Sequence, residues 1–198
     1  MASNLLRWGG LAAMLSGALL IVFVSLMQAA PDGFFYLVIL ILLPLVVAIY
    51  GLHARQARQS GLLGRIGFVV ALIGTGGLAV LFAVVGVAET LFGFDPDGVA
   101  TLGPLLFVLF LAFMVGIVLF GIATLRAGVL PRIAAVLFAF GPLAGLVLDL
   151  LTGAFFDEEA TPWGLYIGNA AFAVGLIWLG YAVWSGRGAA SDQPARVR

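Results

Sequence analysis

Three polar side chains stand where an apolar sequence gives no ordinary reason for them: Asp149, Asn169 and Glu89. A carboxylate inside Leu146-Val147-Leu148-Asp149-Leu150-Leu151 is costly in hydrocarbon, so an ionisable group there is a functional candidate by default. At 1.5 Å per residue, Asp149 lies about 26 Å up its helix from Arg132, and Asn169 about 9 Å in from Trp163 on a helix running the other way. The two depths coincide, and Glu89, Ser25 and Gln28 finish their own apolar runs at the same level. Asp149 also shares a helical face with Gly141, Gly145 and Thr152, which turns it toward other helices. Two readings follow. Asp149, Asn169 and Glu89 could form an outward-facing polar cluster of the kind a proton-coupled carrier uses, or the first two could simply join the last two helices.

The remaining chemistry is narrow. There is no cysteine, so thiolate, iron–sulfur and Cys–zinc chemistry are excluded, and no lysine, so no Schiff base can form. His53 is the only histidine, which rules out haem held by two histidines and any two-His metal set. Beside Arg55 at the end of an apolar run, it reads as a solvated interfacial residue. No Gly-x-Ser-x-Gly elbow or phosphate loop occurs. The acidic stretches Phe94-Asp95-Pro96-Asp97-Gly98 and Asp157-Glu158-Glu159 lack calcium-loop spacing and read as turns and solvated acids. The expectation is no catalytic residue, no metal, no cofactor and, at zero net charge, no nucleic-acid partner.

The elements that must position these groups follow from composition. The 198 residues are 64% hydrophobic and only 9% charged, with a mean hydropathy of +1.23. Soluble domains need about 25% charged residues, so lipid is the solvent for most of this surface. Six apolar runs are predicted to be transmembrane helices in an all-α fold: Leu5–Met27, Phe34–His53, Arg65–Ala88, Leu102–Leu125, Ile133–Leu151 and Trp163–Trp184. Each spans about 28–36 Å as a helix, enough for a core of about 30 Å. Residues 1–185 form one membrane domain on this reading, and 186–198, rich in Gly, Ala, Ser and Arg, a short disordered tail.

All nine arginines flank the spans on one side: Arg7, Arg55, Arg58, Arg65, Arg126, Arg132, Arg187, Arg196 and Arg198. The opposite connections carry Asp32, Glu89, Asp95, Asp97, Asp157, Glu158 and Glu159. The positive-inside rule then places both termini in the cytoplasm. Met27-Gln28-Ala29-Ala30 could imitate a signal cleavage site, but the preceding run is long and Pro31 is a poor residue to follow one, so a retained span is expected. Trp8, Trp163, Tyr166, Tyr181 and Trp184 fall at span ends as interface anchors. An arginine-only, Ala/Gly/Val-rich chain suggests a GC-rich bacterial genome and the cytoplasmic membrane.

Setting Arg7, Arg65 and Arg132 level also aligns Gly9, Gly67 and Ala134, then Ser16, Gly74 and Gly141. Three parallel helical-hairpin repeats would explain this, and so would shared apolar composition. Small residues four apart (Ala13/Gly17, Gly67/Ala71, Ala112/Gly116, Gly141/Gly145, Ala171/Gly175) are expected to be helix seams, because lipid supplies no hydrophobic force between helices. Pro44 and Pro142 lie inside spans. The leading functional expectation is a non-enzymatic accessory, assembly or sensor bundle, with the bilayer and other membrane subunits or a second copy as partners. A small transporter or channel using Asp149 and Asn169 is the alternative, and an intramembrane enzyme the third class.

Overall fold

The computed structural model describes residues 2–26, 34–95, 99–155, 157 and 160–186. The predicted Met27, Gln28, Asp32, Asp97, Glu158 and Glu159 and the 187–198 tail lie outside them. Within them the protein is all-helical: α1 (Ala2–Leu26), α2 (Phe34–Gln56), α3 (Gly61–Phe92), α4 (Leu102–Ala127), α5 (Arg132–Thr152) and α6 (Trp163–Trp184). All six are long and apolar enough to cross a membrane, and no strand occurs among the described residues. Unpaired backbone groups are not tolerated in hydrocarbon, which leaves helices as the form for such runs.

Several helices outrun their hydropathy, α3 the furthest. The apolar count stops at Arg65 and Ala88, whereas α3 covers 32 residues, about 48 Å of helix against a core of about 30 Å. α2 likewise continues past His53 to Gln56. A charged side chain ends a hydropathy window but breaks no backbone hydrogen bond. What ends α3 is Gly93, in the left-handed region (φ 63°), whose N–H returns to the Glu89 carbonyl at 3.0 Å.

The helices close a ring in chain order, each packed on its successor and α6 on α1, with α2 also touching α6. Starts of odd helices and ends of even ones therefore share one end of the bundle, where Arg7, Arg55, Arg58, Arg65, Arg126 and Arg132 fall. Glu89, Asp95, Asp149 and Asp157 belong to the other. The seams are backbone-close, as the small residues imply. A Cβ on Gly67 would meet the Phe120 nitrogen at 2.5 Å, and one on Gly175 the Phe138 nitrogen at 2.6 Å, so neither site has room for a side chain. The residues set level in sequence play matching parts: Gly9 approaches Gly51, Gly67 and Gly74 approach α4, and Ala134 and Gly141 approach α6, each the partner within its own hairpin. Ser16 does the same through a hydrogen bond, its hydroxyl donating to the Ile41 carbonyl of α2 at 3.0 Å, one turn before Pro44. Gly17 and Ala13 instead face α6, closing the ring.

Inside the ring, aromatic side chains form a continuous column. Phe113 of α4 meets Phe172 of α6 edge-on (6.2 Å between centroids), Phe172 stacks on Phe138 of α5 (5.2 Å), and Phe138 meets Phe120 of α4 (6.1 Å). The series continues through His53 to Phe68, which stack at 4.1 Å. All four phenylalanines from Phe113 to Phe120 in this series are buried. Offset and edge-on pairs contribute about 0.5–1.5 kcal/mol each beyond their burial.

Candidate functional site

Asp149 is buried at the acidic end, on the last turn of α5. Its carboxylate faces the start of α6 and accepts two backbone hydrogen bonds: the Gly164 N–H donates to Oδ1 and the Leu165 N–H to Oδ2, both at 2.7 Å. The first N–H groups of a helix have no partner within it, and α6 begins after Thr161-Pro162, where no capping side chain is engaged. Asp149 supplies that cap from the neighbouring helix. The arrangement completes the accounting for the first turn, since the Trp163 N–H donates to the Thr161 carbonyl and the Tyr166 N–H to the Pro162 carbonyl. It also sets a negative charge against the positive end of the α6 dipole, worth up to about 2 kcal/mol in a partly buried geometry.

Glycine makes the approach possible. A Cβ on Gly164 would fall 2.7 Å from Asp149 Oδ1 and would also strike the Gly145 carbonyl. The seam Gly141–Gly145 against Gly164–Gly168 brings α5 close enough for the carboxylate to reach the α6 backbone.

Next to this joint lies a partly open cavity of about 420 Å³ between α4, α5 and α6. Asp149 and Asn169 both line it, with Phe110, Phe113, Met114 and Leu146 forming much of the apolar wall. Asn169 is half-buried, and its amide makes no hydrogen bond to the described protein. Of the three residues singled out in the sequence, the structure therefore brings two to one cavity. Glu89 is not among them: it is exposed, on α3, whose neighbours in the ring are α2 and α4. Ser25 is spent locally, its hydroxyl donating to the Ile21 carbonyl at 2.9 Å. Phe113, the first ring of the aromatic column, is part of the cavity wall.

A second polar site at the arginine end went unnoticed in the sequence. Gln56 is fully buried, and its Nε2 donates to Thr124 Oγ1 at 2.9 Å, while the Thr124 hydroxyl donates to the Phe120 carbonyl. Gln56 Oε1, His53 Nδ1 and the buried Ser60 hydroxyl have no hydrogen-bond partner. His53, expected to be solvated, is half-buried with its ring flat on Phe68. The available signal was helical spacing for two of them: His53 and Gln56 lie three residues apart on one face of α2, whereas Ser60 precedes α3.

Among the described residues no three His, Cys, Asp or Glu side chains converge as a metal site would require. Compared with protein families, with curated proteins and with solved structures, the chain shows no match in any of the three.

Proposed function

We propose that the chain is a non-enzymatic, non-conducting membrane bundle of accessory or sensor type, lying in the bacterial cytoplasmic membrane with both termini inside. The observation that carries this reading is the aromatic column. A conduction path needs polar groups lining a route between the two faces, and here the route from the Asp149 cavity is filled by Phe113, Phe172, Phe138 and Phe120. The carboxylate that a proton carrier would use already accepts two backbone hydrogen bonds. Orientation rests on the arginines and the positive-inside rule. The partner is another membrane subunit or a second copy, seated on lipid-facing flanks.

The test is reconstitution into liposomes with a pH-sensitive dye inside and a proton gradient imposed across the wall. The reading expects the same slow decay as in protein-free liposomes. A decay faster by tenfold or more, abolished by Asp149→Asn, would establish the carrier instead.

A further inference from the structure

The cavity beside Asp149 combines features that select a ligand class. Its volume, about 420 Å³, lies in the range of small-molecule sites. Phe110, Phe113, Met114 and Leu146 offer an apolar body a dry wall. Asn169 presents an amide that both donates and accepts and has no partner in the described protein. The Asp149 carboxylate would repel an anionic head. It offers a cation little in return, because two N–H groups and the α6 dipole already balance its charge.

We propose that this cavity binds an uncharged single-chain amphiphile, its chain against Phe110, Met114 and Leu146 and its hydroxyl or carbonyl head on the Asn169 amide. This deepens the sensor-type reading and rests on it only in needing a closed floor at Phe113. Binding here and flux through the bundle are separate measurements, so either can fail alone.

The experiment uses the full chain in phospholipid nanodiscs and a ten-carbon alkanol carrying a diazirine on its chain. After irradiation, labelled peptides are mapped. The expected result is saturable labelling of residues 110–114 and 164–169, displaced by plain 1-decanol and at least tenfold less well by decanoate or decylammonium. Leu146→Trp fills the cavity and abolishes the saturable component, while Asn169→Leu weakens displacement by about threefold to tenfold, the worth of one neutral hydrogen bond. Should Leu146→Trp not fold, the competition series on the unaltered chain decides by itself. Labelling that never saturates, that spreads evenly over lipid-facing helices, or that either charged competitor displaces as well as decanol overturns the proposal.

Discussion

Each end of the bundle buries a polar group that joins helices, and the two joints are built on opposite terms. At the acidic end a full charge is buried, yet both Asp149 oxygens accept hydrogen bonds from the first turn of α6. At the arginine end a neutral amide is buried, and only half of it is used: Gln56 Nε2 reaches Thr124 while Oε1 stays unpartnered, as does the buried Ser60 hydroxyl. The cost of burying a polar group depends on whether its partners are complete, and an unmade bond in a dry site costs about 1–3 kcal/mol. The charged joint is thus the stabilising one, and the neutral joint is close to break-even.

That contrast can be broken by substitution, read as reversible unfolding in mixed micelles followed by circular dichroism. The largest effect is expected between the joints. Phe138→Ala removes the middle of the column from which both ends are spaced, and should cost about 3–5 kcal/mol. Asp149→Ala leaves two α6 N–H groups without acceptors and should cost about 2–4 kcal/mol, with Asp149→Asn about half as harmful because one oxygen still accepts. Gly164→Ala forces its new methyl onto Asp149 Oδ1 and the Gly145 carbonyl, and should cost about 1–3 kcal/mol. Gln56→Leu comes last, at under about 1 kcal/mol in either direction, since it discards one hydrogen bond together with one orphaned acceptor. If Gln56→Leu proved as damaging as Asp149→Ala, the distinction between complete and incomplete joints would be lost.

These particulars also show what could be read in advance. The six helices were legible because long apolar runs permit little else in lipid, and the seams because Gly and Ala four residues apart allow backbones to meet. The level of Asp149 along its helix and its turn toward other helices were legible from 1.5 Å per residue and one shared face. Its partner was not, because backbone N–H groups leave no mark in a sequence. The sequence even offered Thr161 as an ordinary capping residue, and only the structure shows that no capping side chain is engaged at the start of α6. Glu89 was grouped with Asp149 by depth alone, and depth does not say which helices are neighbours. Gln56 was hidden in a polar run, Gln56-Ala57-Arg58-Gln59-Ser60, whose first residue the structure assigns to α2.

The central claim, a ring with no continuous water path between its two ends, is tested most directly with single cysteines, for which the chain's lack of native cysteine is a clean background. Ser16 and Thr75 are fully buried, cysteine being nearly isosteric with serine and smaller than threonine by a methyl group, and Arg58 is an exposed control. In liposomes permeabilised so that the reagent reaches both faces, a charged maleimide should label Arg58→Cys and leave Ser16→Cys and Thr75→Cys untouched until the protein is denatured. Labelling of Ser16→Cys or Thr75→Cys at the rate of the control would reveal a water-filled path and contradict the account.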